Sequence, residues 1–235
     1  MNRARSLTKY TISRLISMPI MLWLISTLVF LLLRIAPGDP VDAILGNRAD
    51  QITREAMRAK LGLNDPLFSQ YLNFLNDILH GNLGTALNTQ EPVRKIISQS
   101  LPASIELAVA AILIAGVVGF SIGLTGTAKK ESSTDFAGRL YGIVTYALPP
   151  FWAAMIVQLI FAVILGWLPI GGRLPAGTFI QDGSGFLIFD SIKNGDLNLL
   201  QQSIRHLILP ASTLGILLSG IFSRSLKINL DKTLT

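Results

Sequence analysis

Leu15-Ile-Ser-Met-Pro-Ile-Met-Leu-Trp-Leu-Ile-Ser-Thr-Leu-Val-Phe-Leu-Leu-Leu33 is an uncharged run of nineteen residues, followed at once by Arg34-Ile-Ala-Pro-Gly-Asp-Pro40. At a rise of ~1.5 Å per residue, a helix of that length covers roughly 28 Å, about one hydrocarbon core. Twelve of the nineteen are Leu, Ile, Val or Phe. Each favours insertion by about 0.3 to 0.6 kcal/mol near a helix centre, less near its ends. The run exceeds the roughly 7–15 apolar residues of a signal peptide, and Arg34 with a Pro-rich turn stands where small cleavage-site residues would sit. An uncleaved membrane anchor is the expectation.

The composition agrees. Half of the 235 residues are hydrophobic and 14% are charged, against about a quarter charged in ordinary soluble domains. Cysteine is absent, which excludes disulfides, thiolate metal sites and thiol catalysis. The net charge of +6 raises the question of nucleic acid, which the distribution of charge answers.

Three further apolar stretches follow: 22 uncharged residues between Glu106 and Lys129, 33 between Arg139 and Arg173, and 17 between His206 and Arg224. The fold class expected is an all-α polytopic membrane helix bundle with four transmembrane helices, at 15–35, 101–127, 140–167 and 205–224. The segments 1–14, 128–139 and 225–235 then lie on one face, and 36–100 and 168–204 on the other. The first face, counted from residue 125 to 140 for its loop and from Arg224 for its tail, carries ten Lys/Arg against three acids, Glu131, Asp135 and Asp231; the rest of the chain carries ten against eleven. Basic loops stay in the cytoplasm. The N-terminus is therefore expected inside, and the basic excess reads as a topology signal, with no nucleic acid as partner.

Residues 36–100 carry thirteen charges, too many for lipid, and they are patterned. Asp65 is a candidate cap before Pro66. Leu67, Tyr71, Phe74, Leu75, Ile78 and Leu79 then share one helical face, and Gly81 ends the run. Ile52, Ala56, Ala59 and Leu63 form a second face, and residues 92–98 lead into the second span. A small helical extracytoplasmic subdomain is expected; a plain connector is the alternative. In the Gly- and Pro-rich loop 168–204, the stretch 196–205 is expected to form a short helix docking the fourth span.

Gly119-Phe-Ser-Ile-Gly123 has the form of a nucleophile elbow, but it sits mid-way in an apolar helix, away from His80 and His206. The same positions have another explanation. Ala111, Ala115, Gly119 and Gly123 recur every four residues, as do Ala211, Gly215, Ser219 and Ser223. Such stripes let helix backbones approach closely in lipid. Pro149 and Pro150 in the third span and Pro210 in the fourth each remove a backbone donor, so kinks that could gate a pathway are expected there. Glu106, Arg205 and His206 lie near the outer ends of spans, where snorkelling or capping competes with function. No ATP-binding P-loop and no metal-ligand cluster is present in the sequence, so no catalytic residue and no cofactor is expected.

Taken in order, these residues resemble the first permease subunit of the dipeptide/oligopeptide/nickel family of bacterial ABC importers. The resemblance runs through Arg14 and Pro19, Arg34 with Ala36-Pro-Gly-Asp-Pro40, and Leu61-Gly-Leu-Asn-Asp-Pro-Leu67 with Gln70-Tyr71. It continues through Leu79-His-Gly-Asn-Leu-Gly84, Ser100-Leu-Pro-Ala-Ser104, Pro149-Pro150, Trp167-Leu-Pro169 and Leu207-Ile-Leu-Pro210. It implies six transmembrane helices per full subunit, a second related permease, two cytoplasmic ATPase subunits, an extracytoplasmic solute-binding protein and residence in the bacterial inner membrane amid its lipid. It implies a non-enzymatic subunit passing peptides by alternating access; nickel or another small solute, or a non-transporting membrane scaffold, are the alternatives. The family's cytoplasmic coupling loop and last two helices have no counterpart before Thr235, so an N-terminal portion or a truncated product is expected.

Overall fold

The computed structural model describes residues 2–35, 40–46, 49–86, 89–128, 132–178 and 183–234. Residues 36–39 of the Arg34–Pro40 motif and 129–131 of the basic loop lie outside them. The regular elements among the described residues are all helices, with one isolated antiparallel bridge, Thr85 to Pro92. The chain divides into two compact units, Met1–Lys95 and Ile96–Thr235.

In the first unit, α1 (Asn2–Ile35) carries the opening apolar run. It is followed by α2 (Pro40–Leu45), α3 (Gln51–Lys60) and α4 (Leu67–Leu79). Phe30 of α1 is buried between two rings of α4, 5.3 Å from Tyr71 and 5.2 Å from Phe74. The Tyr71 hydroxyl lies 2.7 Å from that of Thr27. Two residues of the periodic face of α4, Tyr71 and Phe74, thus pack on the end of the membrane helix. The helix starts one residue later than a cap at Asp65 would place it: Pro66 is the cap residue, and the Gln70 amide donates to its carbonyl at 3.1 Å. Pro66 has no N–H to give and a fixed φ, so it ends the extended approach and opens the first turn. At the other end Gly81, at φ +74°, lets Asn82 N–H reach the Asp77 carbonyl and its own N–H reach Ile78, a left-handed cap that only Gly adopts without strain.

The second unit holds α5 (Val93–Ala128), which starts three residues before it, α6 (Ser133–Ala147), α7 (Pro150–Gln158) with a π-helical continuation at Leu159–Ile164, α8 (Leu187–Asn194) and α9 (Leu197–Leu234). Among the described residues, three continuous helices are long and apolar enough to cross a membrane: Lys9–Ile35, Val93–Gly126 and Leu197–Leu230. The fourth candidate is a bent pair, Ser133–Ala147 and Pro150–Ile164, meeting at 98°. The architecture is an all-α polytopic membrane bundle.

A single span over 140–167 with a kink was the expectation; the chain instead breaks completely. The ring of a proline drives the preceding residue out of the helical region. Pro149 does this to Leu148 (ψ 123°), and Pro150 does it to Pro149 (ψ 128°). Two successive extended residues turn the chain before Pro150 takes the first helical position of α7. Pro210, in contrast, lies inside a continuous α9. The docking helix expected over 196–205 is the first part of α9 itself. Asp196 Oδ1 accepts from the Leu199 amide at 2.9 Å, capping the helix, and no breaker intervenes before Pro210. Beyond Arg224, Leu226, Ile228 and Leu230 alternate with other residues, yet α9 continues to Leu234.

Candidate functional site

Three groups of residues along α9 carry the chemistry of the second unit. The first is the seam with α5. Ala111, Ala115, Gly119 and Gly123 are buried, and so are Ala211, Gly215, Ser219 and Ser223. The structure sets the two stripes against each other. A Cβ on Gly119 would stand 2.6 Å from Phe222 Cβ, and one on Gly123 2.9 Å from Leu226 Cδ2. A Cβ on Gly215 would stand 2.7 Å from Ile114 Cβ and 2.9 Å from the Ala111 carbonyl oxygen. Real Cβ atoms do not approach that closely, so these glycines set the interhelical distance. Ser121, the would-be nucleophile, points away and donates to its own helix at the Val117 carbonyl, 2.7 Å.

The adjoining flank of α9 receives α6. Tyr141 donates to the Ile216 carbonyl at 3.1 Å, its oxygen lying 2.5 Å from the Ser219 hydroxyl. A Cβ on Gly220 would strike Thr145 Oγ1. Polar side chains survive in this setting because each finds a carbonyl one turn back: Ser203 on Leu199 at 2.8 Å, Thr213 on Leu209 at 2.8 Å, Ser223 on Gly220 at 3.0 Å. An unpaired hydroxyl in a dry bundle would cost about 1–3 kcal/mol.

The second group lies at the end of the unit that carries Glu106. Glu106 of α5 accepts from Arg173 at 2.7 Å with one oxygen and from the Ile188 amide of α8 at 2.8 Å with the other. Arg173 also donates to the Gly185 carbonyl at 2.8 Å. The carboxylate thereby fastens the long loop and α8 to the membrane helix. Beside it a cavity of about 220 Å³ is lined by Glu106, Arg173, Ser203, His206 and Pro210. His206 bonds through Nδ1 to the Gln202 carbonyl at 2.8 Å, and Arg205 donates to the Trp167 carbonyl at 3.3 Å. Of the ionisable residues flagged by position, Glu106 and His206 are brought to one cavity.

The third group lies at the other end. Asp135 is 4% exposed. It accepts from Arg139 at 2.5 Å on one oxygen and pairs with Lys227 of α9 on the other. This cluster escaped the sequence reading. Arg139 sits at i+4, a visible signal, but Lys227 is 92 positions away. Between the two ends, beside the break at Leu148, an apolar cavity of about 370 Å³ is lined by Leu148, Ala153, Phe161, Thr213 and Leu217 among others. Pro149 and Pro150 position its wall through Leu148; Pro210 lines the cavity beside Glu106.

The comparisons with known proteins agree with a membrane transport role. Residues 7–108 match the family model described as the N-terminal region of binding-protein-dependent transport system membrane components. The chain is 36% identical over 202 residues to the di/tripeptide transport system permease protein of Pseudomonas aeruginosa (strain UCBPP-PA14), covering 85% of this chain and 60% of that protein. It is 34% identical over 215 residues to the dipeptide transport system permease protein of Alkalihalophilus pseudofirmus, covering 92% and 65%. It is 32% identical over 207 residues to the probable D,D-dipeptide transport system permease protein of Escherichia coli (strain K12), covering 86% and 60%. The chain thus spans about three fifths of the length of these curated relatives.

Proposed function

We propose that this chain, whose residues 7–108 match the family model of binding-protein-dependent transport system membrane components, is a membrane-spanning permease subunit of a bacterial ABC importer for short peptides. The observation that carries the reading is the match over 85–92% of the chain to permeases named for di- and tripeptides, joined to a bundle with three continuous apolar helices and a bent fourth. The subunit contributes part of the pathway, while ATP hydrolysis belongs to two separate cytoplasmic subunits. A second, related permease completes the pathway, and an extracytoplasmic solute-binding protein delivers the peptide.

In this proposal the N-terminus is cytoplasmic, in keeping with the basic excess of one face. Residues 36–100 form an outer helical subdomain and 168–204 an outer loop. The close α5–α9 seam through Gly119, Gly123 and Gly215 is the rigid part of the bundle. The Leu148–Pro150 break is the place where backbone freed from helical hydrogen bonds lines a cavity, the setting in which membrane proteins tolerate it.

The test is uptake. Deleting the reading frame in its source cell is expected to abolish uptake of a labelled dipeptide and to spare that of labelled nickel, with recovery on re-expression. Loss of nickel uptake with dipeptide uptake intact would move the assignment to the alternative solute. Loss of neither would remove the transport role.

A further inference from the structure

A cavity of about 400 Å³ opens between α5, α6 and α9 at the end of the second unit that carries Asp135. Its floor is glycine: Gly123 and Gly126 from α5, Gly138 and Gly142 from α6. Residues without side chains on two neighbouring helices leave a hollow where packed side chains would stand. A Cβ on Gly126 would meet nothing within 4 Å, and one on Gly138 would only touch Ile122 Cγ2 at 3.6 Å. Ile143 and Tyr146, 65% and 77% exposed, extend the apolar wall outward. The rim is charged. Among the described residues, Arg139, Arg224 and Lys227 face the cavity with a single carboxylate, Asp135, a surplus of two positive charges.

We propose that this groove binds one anionic phospholipid, its phosphodiester on Arg139, Arg224 and Lys227 and an acyl chain along the glycine floor. Charge and shape select the occupant together. A soluble anion would neutralise the rim and leave the apolar floor wet. A zwitterionic lipid would fill the floor and leave the surplus charge. Basic pockets between membrane helices hold anionic headgroups for this reason, each cation contributing about 1 kcal/mol. The proposal rests on the membrane-spanning reading of α5 and α9 and is independent of which solute is carried.

The experiment is native mass spectrometry of the chain, purified from membranes in mild detergent with whatever subunits accompany it, titrated with phosphatidylglycerol and with phosphatidylethanolamine. One phosphatidylglycerol is expected to be retained per chain, with at least about tenfold preference for the anionic lipid from two surplus charges. Arg224→Gln, which leaves the Asp135 pairs in place, is expected to lower that retention roughly fivefold. Gly126→Leu fills the open floor without touching a charge and is expected to lower it as well. Each variant is first matched to the parent in helical content and elution volume. Should Gly126→Leu fail that match, Arg224→Gln decides alone. Equal retention of the two lipids, or phosphatidylglycerol retention unmoved by the variants that pass, overturns the site. Dipeptide uptake does not enter this readout, so the two proposals fail separately.

Discussion

Gly119 of α5 and Ser219 of α9 meet with no room for a side chain between them: a Cβ on Gly119 would stand 2.8 Å from the Ser219 carbonyl oxygen. The seam is therefore set by backbone meeting backbone, the arrangement that dispersion forces reward in lipid. Gly119→Leu or Gly215→Leu forces the helices apart and is expected to cost about 1–3 kcal/mol, as overpacking does. Leu113→Ile, at a site 64% exposed, is expected to be mild. Thermal unfolding in detergent reads the difference; equal melting of all three variants would show that the seam does not hold the bundle.

Glu106 makes two separable contacts, one charged and one to a backbone amide. Glu106→Gln keeps an oxygen for the Ile188 amide and gives up the ion pair, whereas Glu106→Ala gives up both. The loop that carries Arg173 is expected to loosen in that order. Tryptic cleavage at Arg173 and Lys193 should accelerate modestly in the first variant and strongly in the second. Identical cleavage rates in both would assign the whole effect to the ion pair.

The break between α6 and α7 depends on two successive prolines. Restoring both amides with Pro149→Ala and Pro150→Ala allows Leu148 back into the helical region. Spin labels at Phe136 and Ile164, both exposed, report the outcome. At the 98° bend their backbones are separated by roughly 26 Å, and in one straight helix by roughly 42 Å. A shift toward the longer distance is expected in the double variant only. An unchanged distance would show that packing on α9, not proline, holds the bend.

Topology is open to direct labelling, since the chain has no cysteine of its own. Ser69→Cys is expected to react with an impermeant thiol reagent in intact spheroplasts, and Ser132→Cys only after lysis. The reverse pattern would invert the orientation.

The long elements were legible because a bilayer imposes a length and a polarity on whatever crosses it. The runs ending at Leu33, Ala128 and Ser223 announce α1, α5 and α9 by that rule alone. The periodic face of Leu67–Leu79 was legible for the same kind of reason. What escaped was whatever depends on residues far apart in the chain. Asp135 has a visible local partner in Arg139, but its burial also depends on Lys227, on another helix and far away in the chain. The four-residue spacing of Gly119 and Gly123 is visible in one dimension; which helix comes within reach is not. A Pro-Pro pair signals disturbance, but the 98° angle is decided by what each flanking helix packs against.

Helix α9 is a continuous 38-residue rod, and every other helix of its unit is referred to it by angle as well as by height. Arg205 holds the Trp167 carbonyl near one end, and Lys227 holds Asp135 near the other. Each residue added to such a rod turns everything beyond it by about 100° and advances it by about 1.5 Å. A single-residue insertion between Gly215 and Lys227 would therefore swing Lys227 off Asp135, while many substitutions on the exposed side would pass unnoticed. The rod behaves as a keyed shaft: its surface is free to drift over time, but its phase is locked.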